Sequence, residues 1–399
     1  MKRVIIIFTF LTAFSCTSEG VIIEEIPFLH ENSNAQPSLV YRNSSLSLSW
    51  VSFNEQKKAS LNLSRFTDGK WTKPQTIATG SDWFVNWADF PTHAINGNLI
   101  LTSYLKKSAS GTYNYDVVLS LQKLSGEKIK EDFILHSDGV KSEHGFVSII
   151  PNDNHGFYVT WLDGRNTVEK KLDGHHKPMT IRFAEITAGG GVINESELDS
   201  ATCDCCQTSI AANKNGPIVV YRDRDKKEVR DIYITRQING AWEAPSPVHK
   251  DGWIINGCPV NGPKVAVNSN NLAVSWFTVS NENPIVNLSF SKSNGDSFGT
   301  PIKINDHDAI GRVDVAFLNE QEVIVSYMEG DDVGTYLRIK KVSINGKVSE
   351  PITISKIDGG RNTGVPQLEI FNSEIFIVWT VFVDEKNQLK SVKLSSKNI

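Results

Sequence analysis

Short runs of alternating apolar residues recur along the chain, and seven of them end in a tryptophan or a tyrosine. The terminal aromatic residues are Trp50, Tyr104, Trp161, Tyr221, Trp276, Tyr327 and Trp379. Successive members lie 51 to 60 residues apart. Strict alternation over about four to eight residues is typical of a half-buried β-strand, whereas a helical period extends over no more than a few residues here. The pattern therefore predicts an all-β chain of seven similar units.

Each unit contains signals for four strands. A strand begins about a dozen residues before the aromatic residue, and a third strand, a glycine turn and a short fourth strand follow it. The fifth unit shows all four strands, at residues 264–267, 272–276, 286–291 and 302–304. Four strands repeated at a fixed period are the sequence form of a β-propeller. We therefore predict a β-propeller with seven blades of four antiparallel strands.

The two ends of the chain predict how the ring closes. The last unit has three evident strands, the third at residues 389–394, and the run 21–28 precedes the first unit without belonging to it. A blade shared by both chain ends removes an exposed sheet edge and closes the circle. We expect residues 17–399 to form one propeller domain, closed by N- and C-terminal strands in one blade.

The first sixteen residues have the features of an export signal. Lys2 and Arg3 precede an apolar run over residues 4–14, which is too short to span a bilayer. The run ends at Ser15 and Cys16, a small residue before a lone cysteine, as lipoprotein signal peptidases require. We predict a lipoprotein signal at residues 1–16 with Cys16 lipidated; a plain secretory signal is the alternative. Residues 17–20 resemble the leader of Bacteroidota surface lipoproteins, which implies the cell envelope and an outer-membrane anchor, with the periplasmic or external side left open.

Charge and hydropathy limit the kinds of binding partner that the protein is expected to have. The net charge of −4, without clustered lysine and arginine, argues against nucleic acid. No apolar run after Cys16 reaches transmembrane length, so we expect membrane contact through the N-terminal lipid only. We expect a monomer with a glycan or small-molecule ligand.

One turn carries a family motif. Residues 291–298 read Ser-Lys-Ser-Asn-Gly-Asp-Ser-Phe and resemble the Asp-box of sialidase-like propellers, approximately Ser-x-Asp-x-Gly-x-Thr-Trp. Shorter echoes occur at residues 68–71, 239–242 and 345–348, and segments 203–206 and 256–263 resemble motifs of bacterial exported proteins named sialidase-like. The resemblance implies a sialidase-like propeller, and the six blades of that family are the alternative to seven. The box is a structural turn, so it says little about catalysis.

The unusual polar residues fall in two kinds of segment that share one face of a propeller. These segments are the connectors that enter the first strand of a blade and the loops that leave its second strand. They carry Trp87, Asp89, Glu143, His144, Asp163, Arg165, Cys203, Cys205, Cys206, Arg222, Cys258, Arg312, Glu329 and Arg361. We therefore expect the functional site at one mouth of the channel.

The sialidase resemblance implies roles for some of these residues. A sialidase uses three arginines to bind the substrate carboxylate, a Tyr–Glu pair as nucleophile and a carboxylic acid as proton donor. The candidate clamps are Arg165, Arg222, Arg312 and Arg361; the candidate catalytic carboxylates are Asp89, Asp163 and Glu329; and Trp87 offers a flat face to a sugar. The first arginine motif of the family is missing, because residues 34–38 read Asn-Ala-Gln-Pro-Ser. We therefore expect glycan binding rather than hydrolysis; an enzyme would be a glycoside hydrolase of the exo-α-sialidase type.

The four cysteines outside the signal support a different function. An even number in an exported chain favours disulfides, here two among Cys203, Cys205, Cys206 and Cys258. The alternatives are a soft metal such as copper, held by the thiolates with His144 nearby, and a redox role. A scaffold that binds another envelope protein without chemistry is the remaining possibility.

Overall fold

The computed structural model describes residues 21–28, 32–42, 44–168 and 177–399. In this part of the chain, seven antiparallel sheets follow one another along the sequence, with short 3-10 turns at Ser280–Glu282, Arg361–Thr363 and Ser396–Asn398 as its helical segments. None of these is long or apolar enough to cross a bilayer. The signal segment and Cys16 lie outside the described residues, so the lipid anchor stays a prediction.

The blades are numbered along the chain, and their strands run from the channel outward. Blade 1 contains Ser33–Arg42, Ser45–Phe53, Ala59–Thr67 and a divided outer strand, Lys70–Trp71 and Gln75–Gly80. Blade 2 contains His93–Asn96, Leu99–Lys107, Tyr115–Lys123 and Lys128–Ile134. Blade 3 contains His144–Pro151, Phe157–Asp163, Met179–Ile186 and Val192–Thr202. Blade 4 contains Ser209–Asn213, Gly216–Arg222, Ile232–Ile238 and a divided outer strand, Ala241–Trp242 and Ser246–Pro247.

The remaining blades keep this order. Blade 5 contains Lys264–Asn268, Asn271–Thr278, Ile285–Ser291 and Ile302–Lys303. Blade 6 contains Asp308–Phe317, Glu322–Gly330, Thr335–Ser343 and Ile352–Ile357. Blade 7 contains Gln367–Phe371, Glu374–Val383, Lys386–Ser395 and, outermost, Ile23–Glu25. The prediction of seven four-stranded blades is confirmed, and the six-bladed alternative is wrong.

The recurring aromatic residue joins each blade to the one before it. All seven lie in the second strand of their blade, at most 3% exposed. Trp276 of blade 5 packs in one cluster with Ile218 and Ile232 of blade 4, and Trp50 of blade 1 packs with Phe376 of blade 7. Burial of such a side chain contributes about 1.5–3 kcal/mol, so the period of the sequence is the period of blade–blade packing.

Both chain ends meet in blade 7. Ile23 pairs with Leu394 in antiparallel register, and the Ile26 amide donates to the Ser391 carbonyl at 2.7 Å. The sheet edge of Lys386–Ser395 is thereby covered by the N-terminal strand. The predicted closure is confirmed.

The turn at residues 291–298 has the geometry that its sequence indicates. Gly295 adopts a φ of +86°, and its amide donates to the Ser291 hydroxyl oxygen at 2.8 Å. A turn between third and fourth strands lies, in an antiparallel blade, at the end opposite the connector that enters the first strand. The Asp-box-like turns therefore occupy one face of the ring, and the connectors with the candidate residues occupy the other.

Candidate functional site

The connectors that enter the blades contact one another around one mouth of the channel. The side-chain amide of Gln207 donates to the Ala88 carbonyl at 2.7 Å, and the side-chain amide of Asn261 donates to the Ile310 carbonyl at 3.1 Å. Below this mouth, the first strand of every blade lines a cavity of about 490 Å³. The polar groups at the mouth are thus held by segments from several blades.

A tyrosine hydroxyl lies between two carboxyl groups at this mouth. The Tyr115 hydroxyl is 2.6 Å from Glu143 Oε1 and 3.2 Å from Asp89 Oδ2. Asp89 also accepts the Phe146 amide at 2.7 Å and lines the cavity. A Cβ at Gly145 would lie 1.9 Å from Asp89 Oδ2, so this close approach requires glycine.

Both carboxyl groups of this array bind protons more tightly than usual. Burial raises the pKa of Asp89 to about 8, and the charge of Glu143 adds to the effect. Burial also raises the pKa of Glu143 to about 7, against the hydrogen bond from Tyr115. At neutral pH the array therefore holds a proton next to the Tyr115 hydroxyl. Sequence reasoning singled out Asp89 but missed Tyr115, which lies in a third strand rather than in a connector.

The other two candidate carboxylates are fixed by cations. Arg165 contacts both oxygens of Asp163, through Nε at 2.8 Å and Nη2 at 2.7 Å. Burial alone would raise the pKa of Asp163, but the hydrogen bonds from Arg165 overcome it and lower the pKa to about 2. Glu329 is fully buried, pairs with Arg338 and accepts the amides of residues 306 and 307. Asp163 therefore stays ionised at neutral pH, and both carboxylates are paired with arginines of the fold, while their catalytic role remains a prediction.

Two of the four candidate clamp arginines are engaged by groups of the fold. Arg222 is buried and donates to the carbonyls of Asn261, Phe277 and Arg230. Arg165 has its charge matched by Asp163 and Glu195. These guanidinium groups are therefore occupied within the fold, where they hold connectors in place.

Three further candidates come from segments far apart in the sequence but lie near one another: Arg312, Arg361 and Trp87. Their environments differ. Arg312 donates to the Gly360 and Gly364 carbonyls at 2.7 and 2.9 Å, and its guanidinium lies 4.6 Å from the centre of the Trp87 ring. The half-buried Trp87 thus has an arginine against its ring, where the sequence suggested a sugar. Arg361 is exposed on a 3-10 turn. Of the four candidate clamps, Arg361 alone faces solvent freely.

Three cysteines form a compact cluster beside this mouth. Cys203 Sγ lies 3.5 Å from Cys206 Sγ and 3.9 Å from Cys205 Sγ, and Arg230 Nη1 is 3.2 Å from Cys203 Sγ. Hydrogen bonds from the two neighbouring thiols, with the charges of the nearby arginines, hold the pKa of Cys203 well below its usual range. Burial raises the pKa of the Cys206 thiol to about 12. The cluster therefore stabilises Cys203 as a thiolate beside the neutral Cys206 thiol.

The fourth cysteine lies at the edge of this cluster. Cys258 is exposed, and a hydrogen bond with Cys205 lowers the pKa of its thiol. All four cysteines are free thiols in the structure, so the two disulfides expected from the sequence are not formed in it.

His144 belongs to another cluster. Its ring is fully buried and stacks on His136, with 3.7 Å between ring centres. Carboxylates of Asp116, Asp138 and Asp163 lie within 4.0 Å of it. The contacts of His144 among the described residues are with these groups, so its role beside a thiolate-bound metal stays a prediction.

No family model and no curated protein matches this sequence. Solved structures share its fold. The ulvan lyase PL25, bound to -[GlcA(1-4)Rha3S]-, matches with a TM-score of 0.57 and 11% identity over 93% of this chain and 96% of its own. Polysaccharide lyase Uly1 matches with a TM-score of 0.53 and 9% identity over 96% and 94%. The phage phi92 endosialidase matches with a TM-score of 0.50 and 9% identity over 94% and 69%. At these identities the likeness shows a common propeller fold, one that sialidases and polysaccharide lyases share.

Proposed function

We propose that this protein binds a glycan at the channel mouth where Asp89, Tyr115 and Glu143 meet. The observation that carries the proposal is the Tyr115 hydroxyl held between two carboxyl groups, 2.6 Å from one and 3.2 Å from the other. The cavity of about 490 Å³ beside Asp89 is within the size range of ligand sites, roughly 300–1,000 Å³. Solved propellers of the same fold include two polysaccharide lyases, which supports a carbohydrate ligand.

The chemistry of the array favours hydroxyl-rich ligands. A protonated carboxyl group and a phenol both donate and accept hydrogen bonds, as sugar hydroxyl groups do. A carboxyl group that keeps its proton at neutral pH is also what general-acid catalysis requires, so Asp89 is the proton donor of any cleavage at this site. Because Arg165, Arg222 and Arg312 are engaged by groups of the fold, binding rather than hydrolysis is the proposed function, and neutral or uronate-containing glycans are the proposed ligands.

Glycan binding is tested with the mature chain from residue 17 and a panel of neutral, uronate-containing and sialylated polysaccharides. We expect saturable binding to at least one neutral or uronate-containing polysaccharide, weakened at least tenfold by Asp89→Asn. The matched control is Asp296→Asn, which makes the same change at an exposed carboxylate in the Asp-box-like turn on the opposite face. A flat response across the panel, or equal losses in both variants, would contradict the proposal.

A second candidate function rests on the cysteine cluster. The sulfur atoms of Cys203, Cys205 and Cys206 lie within 4.8 Å of one another, and thiolates select soft ions such as Cu(I). Native mass spectrometry separates the alternatives. One copper ion that is lost in Cys205→Ser supports a metal centre; a mass short by two hydrogens per bridge, without metal, supports disulfides instead.

The proposed place of action is the cell envelope, with Cys16 as the lipidated residue. The support is the basic and apolar segment that ends in Ser15 and Cys16. Cys16→Ser is expected to move the protein from the membrane fraction to the soluble fraction. Membrane association that survives this change would exclude the lipid as the anchor.

A further inference from the structure

A buried cluster of histidines and aspartates lies between blades 2 and 3, behind the Tyr115 array. The rings of His136 and His144 stack with 3.7 Å between their centres and 9° between their planes. Asp116 lies against both rings, and His144, His136 and Asp116 are 0%, 6% and 7% exposed. Nothing in the proposed glycan or copper functions uses these side chains.

Polar atoms of this cluster have no hydrogen-bond partner among the described residues. They include Asp116 Oδ1 and His136 Nε2, which face each other at 3.9 Å. His144 Nδ1 lies 4.0 Å from the same Asp116 oxygen and has the Tyr115 carbonyl oxygen as its hydrogen-bond partner, whereas His144 Nε2 has none among the described residues. A buried polar atom without a partner lowers stability, so the unpaired Asp116 Oδ1 and His136 Nε2, which face each other, indicate a missing common partner.

We propose that Asp116, His136 and His144 bind a divalent transition-metal ion, with zinc as the expected occupant. Zinc lies about 2.0–2.2 Å from nitrogen and oxygen ligands in tetrahedral geometry, so two ligands of one ion are roughly 3.3–3.6 Å apart. The two separations from Asp116 Oδ1, 3.9 and 4.0 Å, are a few tenths of an ångström longer, so the three side chains would close slightly around the ion. Two imidazoles and a carboxylate are a donor set that zinc accepts, whereas Mg²⁺ and Ca²⁺ prefer oxygen alone.

A carboxylate on the side of the rings opposite Asp116 supports ring orientations in which His136 Nε2 and His144 Nδ1 bind the metal. Asp138 Oδ2 lies 2.9 Å from His136 Nδ1 and 3.3 Å from His144 Nε2. Of the two rings, His136 is the one hydrogen-bonded to Asp138, and a carboxylate that accepts the second ring N–H fixes the tautomer and directs the remaining nitrogen to the metal. The Tyr115 carbonyl oxygen, 3.3 Å from His144 Nδ1, is close enough to become a fourth donor.

Local charge decides on which side of the rings the ion binds. Asp138 and Asp163 also face His144, but Arg165 Nη2 lies 3.3 Å from Asp138 and 2.7 Å from Asp163, so a cation is already there. On the Asp116 side, the nearest cation is Lys141 Nζ at 3.7 Å, and 53% of its side chain is exposed. Lys141 can turn into solvent, which leaves the Asp116 side for the ion.

The site would join two blades next to the glycan mouth. Asp116 directly follows Tyr115, and His144 directly follows Glu143. An ion held by Asp116 and His144 would therefore fix the backbone that positions the Tyr115–Glu143 hydrogen bond. The inference is independent of the glycan proposal, because zinc binding is measured without any glycan.

The test uses the mature chain, stripped with a chelator and then titrated with zinc alone. We expect one zinc ion per chain in the wild type and in Cys205→Ser, and at least tenfold weaker binding in Asp116→Asn and His136→Asn. His249→Asn is the matched control, because His249 is partly exposed and pairs with Asp251 far from the cluster. Zinc should also raise the melting temperature of the wild type and the control, but not that of the two ligand variants.

Cobalt in place of zinc gives a readout that needs no ligand variant. In the Cys205→Ser chain, cobalt should give ligand-field bands without thiolate charge-transfer absorption. Zinc that stays bound in both ligand variants, zinc that is lost in Cys205→Ser, a wild type that takes up no zinc at micromolar concentration, or a thiolate-type cobalt spectrum would each overturn the proposal.

Discussion

At the scale of single residues, two carboxyl groups that are buried to the same extent differ in chemistry because their partners differ. Asp89 and Asp163 are 2% and 0% exposed, and the sequence suggested the same role for both. Asp89 has a phenol and an amide beside it and a pKa of about 8. Asp163 has the bidentate Arg165 and a pKa of about 2. The environment therefore makes Asp89 a proton carrier and Asp163 a permanent anion.

The raised pKa of Asp89 predicts a pH dependence of stability. The folded state holds this proton up to about pH 8, whereas an unfolded aspartate with a pKa of 3.8 loses it earlier. The folded state thus binds more protons across this window, so Asp89 lowers the unfolding free energy as pH rises, by at most about 1.4 kcal/mol per pH unit. Urea unfolding between pH 5 and 7 should show a shallower fall for Asp89→Asn than for the wild type. Asp296→Asn should leave the slope unchanged; equal slopes for all three proteins would contradict the prediction.

Gly145 gives a second prediction at this scale. An alanine Cβ would lie 1.9 Å from Asp89 Oδ2, so the carboxyl group or the strand must move. Overpacking of this kind costs about 1–3 kcal/mol, and we expect Gly145→Ala to lower the unfolding free energy by that amount and to weaken glycan binding. Gly189→Ala is the control, because a Cβ there meets nothing within 4 Å. An unchanged Gly145→Ala protein would show that Asp89 is not held this closely.

At the scale of strands and connectors, the sequence predicted the strands because each has a repeating packing role. In blade 5 the predicted second strand, 272–276, lies within the observed Asn271–Thr278. The beginnings of the first strands were not predictable in this way, because their geometry depends on bulges. Phe146 and Arg312 have φ values of +54° and +50° and lie in strands whose pairing register shifts at those positions. Their amides thereby reach Asp89 and Asn261, and nothing in the alternation of apolar residues indicates those bonds.

The N-terminal strand gives a prediction for an element. Ile26 is 3% exposed in the cluster that joins blades 7 and 1, whereas Ile22 is 67% exposed. Ile26→Ala should lower the unfolding free energy by about 2–5 kcal/mol, since it removes buried methylene groups from the blade that closes the ring. Ile22→Ala should change it by less than about 0.5 kcal/mol. Similar losses for the two variants, measured by urea unfolding, would argue against the docked strand.

At the scale of the whole molecule, the topology predicted from the sequence indicates which residues share a face of the ring. It does not indicate which of them remain available to bind a ligand. The blade order placed the arginines and carboxylates on the connector side, and Asp89 does line the channel. Curved connectors, however, present carbonyl groups that no strand satisfies, and Arg222 and Arg312 donate to these carbonyls. A sequence shows the number of arginines at a mouth. It does not show how many the backbone itself requires.

The two faces of the ring predict which amides a bound glycan protects from hydrogen exchange. A ligand at the proposed mouth should slow amide hydrogen exchange in the connectors that enter blades 2, 3 and 4, because it orders the segments around Asp89, Glu143 and Gln207. The Asp-box-like turns at residues 68–71, 239–242, 291–298 and 345–348 lie at the opposite ends of the strands, so their exchange should be unchanged. The polysaccharide that binds in the panel is the ligand, and Asp89→Asn with the same ligand is the control. Protection confined to the opposite turns would place the binding site on that face instead. Ordering that spread through the ring from the connector face would also protect the strands between the two faces.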